Sequence, residues 1–83
     1  MITPEEKELI IKYLGKHFSR KIIPVLNYKS ILNEKQKSYS PKSIQNIING
    51  ITENTKVETA IFQLVADCKE KQEKLQNLKK QVL

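Results

Sequence analysis

Three features of this 83-residue chain predict an all-α fold, a compact bundle of about four helices with a long C-terminal helix. Cap-type residues stand directly ahead of helical patterns at Thr3-Pro4, Ser40-Pro41 and Thr55. Aliphatic residues recur three and four apart, the period of one helix face. A hydrophobic content of 39% with only 6% aromatics supplies a modest aliphatic core but too little bulk for a β-sandwich or barrel. At this length one core is all the chain can build, so it forms a single small domain.

The first helix opens with Thr3 as cap, Pro4 at the first helical position and Glu6 completing a capping box. Leu9, Ile10, Tyr13 and Leu14 form its apolar face, and Gly15 supplies the left-handed residue that ends it. A second helix is expected from Ser19, its cap, to about Leu32, with Ile22, Ile23, Leu26 and Ile31 turned inward. Pro24 conflicts with that start, because a proline beyond the first turn removes a hydrogen bond and kinks the helix; a start nearer Pro24 is the alternative. Asn33–Ser38 is polar and reads as a loop, too long for a tight helix-turn-helix corner.

Tyr39–Gly50 (YSPKSIQNIING) carries the densest set of local signals. Ser40 caps, Pro41 takes the first position, Gly50 stops the helix, and Tyr39 with Ile44 forms a hydrophobic staple. Ile44, Ile47, Ile48 and, just beyond, Ile51 make one stripe facing a core. The opposite face holds Lys42, Ser43, Gln45, Asn46 and Asn49 and no acidic residue. Amide side chains donate and accept in one plane, which is the pattern that binds adenine N6 and N7 in a major groove, and lysine suits guanine or phosphate. Lys42, Gln45, Asn46 and Asn49 are therefore the candidate base-reading residues. An ordinary polar helix face is the competing reading of the same side chains.

Ile51–Asn54 is a short connection, and Thr55 with Glu58 forms a second capping box that starts the longest helix. Val57, Ile61, Leu64, Cys68, Leu75, Leu78 and Val82 alternate by fours and threes, with Lys71 in the one polar slot. That heptad predicts a helix of about 26 residues, roughly 39 Å long. Ala60, Phe62, Val65 and Ala66 widen its first half into a face for burial inside the domain. The second half keeps only a narrow seam, the pattern of a two-stranded contact. The expected organisation is a domain over residues 1–66 and a helical extension over 67–83, dimerising through Leu64, Cys68, Leu75, Leu78 and Val82. An antiparallel pairing, or packing back onto the first helix, are the alternatives to a parallel pair.

The formal charge is +6, and it is unevenly placed. Between Lys12 and Gly50 stand eight basic residues against the single acid Glu34, a balance of +7 that leaves the rest of the chain at −1. Excess positive charge around the amide-rich helix is the footprint expected on a polyanion, with Arg20, Lys21, Lys35 and Lys37 as candidate phosphate contacts. Catalysis is not expected: His17 reads as a surface or half-buried residue, and the acids are spread over helix surfaces. The lone Cys68 makes neither an internal disulfide nor, with one histidine, a metal site, and no cofactor is implied. There is no signal-peptide pattern and no apolar run near the ~18 residues that cross a membrane, so an intracellular setting is expected.

The stretch Ser40–Gly50 resembles the recognition helix of helix-turn-helix repressors, especially the lactose-repressor and phage-repressor type. That family runs Ser, two variable residues, Thr or Ser, an aliphatic, two polar residues, two aliphatics and Asn. The following Glu53-Asn54 and Val57-Glu58-Ala60-Ile61 look like small helix-turn-helix proteins of bacterial phages and mobile elements. The resemblance implies base contacts for Lys42 and Asn46, cap or phosphate contacts for Ser40 and Ser43, and core positions for Ile44, Ile47 and Ile48. It departs from the family at the long connection before Tyr39 and at Pro41, where repressors often place a base-reading side chain. Double-stranded DNA in a bacterial cytoplasm is the partner it implies, bound by a homodimer, and no small-molecule ligand is implied. A protein–protein module or inhibitor from a mobile element, using the same fold without reading DNA, is the competing function. RNA is the less favoured nucleic acid, because sequence-specific RNA modules offer aromatic platforms and the five aromatics here are not clustered.

Overall fold

A computed structural model describes residues 1–82; Leu83, the last residue of the expected extension, lies outside them. The chain runs through α1 (Pro4–Leu14), α2 (Phe18–Tyr28), α3 (Pro41–Ile48) and α4 (Thr55–Val82), with no strand among the described residues. α4 packs against both α1 and α2, and α3 packs on α2.

α1 begins as its sequence dictates. The Thr3 hydroxyl accepts from the Glu6 backbone N–H at 3.2 Å, and the Glu6 carboxylate accepts from the Thr3 N–H at 2.9 Å. The Thr3 backbone N–H first, and its hydroxyl second, hold the Glu6 carboxyl below its usual pKa. Gly15, at φ 87°, ends the helix by donating its N–H to the Ile11 carbonyl. Ile10 and Leu14 are buried, whereas Leu9, expected on the same face, is 44% exposed. It lies about 100° round the helix from Ile10 and falls on the rim.

α2 differs from its expected bounds at both ends. It starts at Phe18 with His17 before it and no side-chain cap, so Ser19 lies inside the helix instead of capping it. Pro24 also lies inside. Its side chain is exposed, so the Arg20 carbonyl that its missing N–H leaves free is on the solvent side, where water can satisfy it. The helix stops four residues before Leu32. Ser30 adopts φ 58°, its N–H donates to the Asn27 carbonyl at 3.1 Å, and the Ile31 N–H donates to the Leu26 carbonyl at 2.8 Å. These are the two bonds of a Schellman ending, with serine in the left-handed position usually given to glycine. Ile31 then folds back onto the core.

α3 closes with the same pair of bonds. Gly50, at φ 76°, donates to Ile47, and Ile51 donates to Asn46. Here the residue after the glycine is left outside: Ile51 is 70% exposed, so the apolar stripe of α3 ends at Ile48. The expectation that Ile51 continues it fails because the left-handed turn at Gly50 breaks the helical period before reaching it. A Cβ at position 50 would stand 2.8 Å from the Ile2 carbonyl oxygen, so the N-terminal segment crosses hard against the end of α3. Ile2 itself is buried and belongs to the core, which its isolated position ahead of the first helix did not announce.

α4 starts one residue from the expected box. Asn54 is the residue that caps: its side-chain carbonyl accepts from the Val57 N–H at 3.2 Å, and the Glu58 carboxylate accepts from the Asn54 N–H at 2.9 Å. Thr55 is already helical. Val57, Ala60, Ile61 and Val65 are buried with Ile22, Leu26, Ile44, Ile47 and Ile48, and no polar or charged residue is buried among the described residues. Phe62, Leu64 and Cys68 are half-buried against this core, while Ala66, expected to widen the buried face, is exposed. From Lys69 to Val82 every residue is exposed, including Leu75, Leu78 and Val82, so the second half of α4 does not fold back onto α1. That projection gives the molecule its 51 Å long axis against 27 and 19 Å.

Candidate nucleic-acid interface

α3 is eight residues long, about 12 Å at 1.5 Å per residue, and both its ends are tied. The Ser40 hydroxyl accepts from the Ser43 N–H at 3.2 Å and donates to the Ser43 hydroxyl at 3.0 Å, so both serines expected at phosphates also serve the start of the helix. With Ile44, Ile47 and Ile48 in the core, a rotation of about 100° per residue sets Gln45, Asn49, Lys42 and Asn46 within one arc of about 100° on the far side. Lys42, Gln45 and Asn49 are exposed, and among the described residues none of their side chains has a hydrogen-bond partner. Asn46 stands at the edge of the arc and is half-buried. Its backbone carbonyl takes the N–H groups of Ile51 and Thr52, and its side chain lines a cleft.

That cleft, about 450 Å³, runs between α3, the loop before it and the start of α4. Lys35, Ser43, Asn46 and Asn54 line it together with Tyr39 and the acids Glu34 and Glu53. The fold thus gathers Lys35, Ser43 and Asn46 around one cleft. The two carboxylates counter the lysine inside the cleft, whereas the outward arc holds Lys42 and no acid.

The loop is built around one side chain. The Asn33 side-chain carbonyl accepts from the N–H groups of Lys35 at 2.9 Å and Lys37 at 3.0 Å, and its own N–H donates to the Lys37 carbonyl at 2.9 Å. Gln36, at φ 60°, makes the turn inside that ring. Lys35 and Lys37 are held out from a fixed turn. Tyr39 fastens the loop's end: its hydroxyl accepts from the Asn54 amide at 3.0 Å, coupling the entry of α3 to the cap of α4. It also lines a second groove of about 430 Å³ with Lys29 and Lys56. Sequence reading counts Lys29 in the basic stretch between Lys12 and Gly50 without naming it a phosphate contact and leaves Lys56 out; in the fold the Lys29 ammonium donates to the Gln63 side-chain carbonyl at 2.8 Å. Arg20 and Lys21 are exposed on the outer side of α2 and line neither groove.

Among the described residues both ion pairs use the Met1 ammonium, with Glu58 at 3.4 Å and Glu53 at 3.9 Å, and no lysine or arginine is paired to a carboxylate. Nor do three potential metal ligands come together among those residues, and no helix is long and apolar enough to cross a membrane. Leu64 and Cys68 of the expected dimer seam are half-buried at the domain's edge, and Leu75, Leu78 and Val82 are exposed beyond it. No protein-family model, curated protein or solved structure matches this chain.

Proposed function

We propose that this chain is a sequence-specific double-stranded DNA-binding protein, a small transcriptional regulator that lays α3 in the major groove. One observation carries the reading: the outward arc of a short, doubly capped helix presents Lys42, Gln45 and Asn49 free of internal partners and without an acid among them. Asn46 reaches bases from the cleft edge, Lys35, Lys37, Arg20 and Lys21 take phosphates, and Ser40 and Ser43 add hydroxyl contacts where α3 begins. A homodimer formed through the tail of α4 doubles the contact. The twelve residues between Tyr28 and Pro41 replace the tight corner of a helix-turn-helix, so α3 is positioned by its core face and by the Tyr39–Asn54 bond.

Selection of preferred sequences from random duplexes, followed by titration of the selected site, tests the reading. Gln45→Ala and Asn46→Ala are expected to weaken the selected site by about 1–3 kcal/mol each and to relax preference at one base pair. Log affinity is expected to fall with log salt at a slope of about −5 if some six phosphates are neutralised, and Lys37→Ala to lower that slope by about one. No preferred site and a flat salt response would sink the proposal. They would favour a protein–protein module instead, which the exposed Leu75, Leu78 and Val82 support on their own.

A further inference from the structure

We infer that the tail of α4 pairs with a second copy of this chain in the antiparallel sense, leaving the two α3 faces at opposite ends of the dimer. The inference rests on the dimer reading above and fixes its geometry. Three observations carry it.

The first is steric. Leu75, Leu78 and Val82 continue the same heptad stripe as Val57, Ile61, Leu64 and Cys68, so the tail's apolar face lies on the side of α4 where the domain sits. Val57 and Ile61 are 0% exposed. A parallel partner helix following that stripe towards the N-terminus of α4 would run into space held by α1 and α2. An antiparallel partner enters from the tip of the tail and stops where the domain begins, and its own domain lies beyond that tip.

The second is charge. Residues 67–73 hold three acids, Asp67, Glu70 and Glu73, with Lys69 and Lys71, whereas residues 74–82 hold Lys74, Lys79 and Lys80 and no acid. A parallel pair sets each basic end against its copy, places Lys71 on Lys71 in the seam and sets Lys74 beside Lys79 of the second copy. An antiparallel pair over residues 69–82 removes these like-charge contacts, because Lys71 then lies opposite the far end of the second copy's tail and Lys79 opposite Gln72.

The third is exposure. The stretch from Lys69 to Val82 buries no side chain, and an isolated helix of that length is marginal in water, so its apolar residues gain most from a partner of matching length. Its counterpart in a second copy has that length.

Distance measurement on the full chain tests this. Sedimentation equilibrium is expected to show a dimer that Leu75→Ser with Leu78→Ser returns to monomer, since both residues are half or more exposed in the monomer and their loss leaves the core intact. In a Cys68→Ser background, a spin label at Lys56→Cys reports the orientation. With the stretches 69–82 side by side, the two labelled positions stand about 58 Å apart at 1.5 Å per residue, whereas a parallel pair puts both labels at the same end of the dimer and well short of that separation. Mild oxidation of the unsubstituted chain gives a second readout: a parallel seam sets Cys68 against Cys68 and yields a disulfide-linked dimer, whereas an antiparallel one does not. A dimer with the long separation and no cross-link is the expected result. A dimer with the short separation or a ready cross-link overturns the orientation while leaving dimerisation standing. A chain that stays monomeric, or a dimer that survives the double serine variant, overturns both.

Discussion

The two halves of α4 have the same heptad pattern and opposite circumstances. In residues 57–65 the seam positions Val57 and Ile61 are 0% exposed inside the domain, with Leu64 half-buried beside them. In residues 69–82 the equivalent Leu75 and Leu78 are 53% and 50% exposed. Periodicity specifies which face of a helix is apolar. What covers that face is decided by elements distant in sequence, so a pattern that continues unbroken can cross from core to solvent without a mark.

The strongest way to break this contrast is truncation on either side of it. Ile61→Ala is expected to cost about 2–5 kcal/mol, the range for emptying a filled core site. Leu75→Ala in a monomeric solution should stay within about 0.5 kcal/mol, as surface substitutions do. Urea denaturation of both at low protein concentration measures the difference, and equal costs would show that the tail is packed within one chain.

The crossing that holds the domain half together gives the next effect. Gly50→Ala forces a side chain into the left-handed region and against the Ile2 carbonyl, at a combined cost of about 2–3 kcal/mol. Gly15→Ala meets no other atom within 4 Å, so only the conformational cost of its φ 87°, ψ 177° backbone applies, about 1–3 kcal/mol. A thermal melt of Gly50→Ala alone and with Ile2→Ala sharpens the claim, and strictly additive losses would remove Ile2 from it.

Smaller again is the anchor at the start of α4. Asn54→Ala should cost about 1 kcal/mol and Thr55→Ala only a few tenths, because the asparagine side chain caps and the threonine is already helical. Amide exchange in the monomer is expected to be slowest at 57–65 and fastest beyond 72. The least effect is that of acid on α1, which covers the domain half. The Glu6 carboxyl is held below its ordinary pKa, so its support is present above the unfolded value and is lost as pH falls through the lowered folded value. Exchange of the Thr3 and Glu6 amides is expected to quicken over that interval while Ile61 is unchanged.

Much of this fold was legible locally. The Thr3–Glu6 box, Ser40 before Pro41, Gly15 and Gly50 each work through neighbours within four residues, and all take the roles their chemistry predicts. The end of α2 was not legible, because Ser30 fills a left-handed position without being glycine and only the packing of Ile31 makes that worthwhile. Asn54 and Thr55 are both cap residues with an acid at workable spacing, and backbone geometry chose between them. At the candidate site, the polar arc of α3 follows from the helical period. The cleft beside it does not, since it depends on Asn33 folding the loop and on Tyr39 meeting a side chain fifteen positions away.

That tyrosine also gives the protein an optical probe of its own. The chain has no tryptophan and three tyrosines. Tyr28 is 91% exposed and open to a dissolved quencher. Tyr39 is half-buried, hydrogen-bonded and wedged between two grooves beside α3. Iodide should therefore darken Tyr28 first. The emission that survives belongs mostly to residues such as Tyr39, so occupancy of α3 can be followed without attaching a dye.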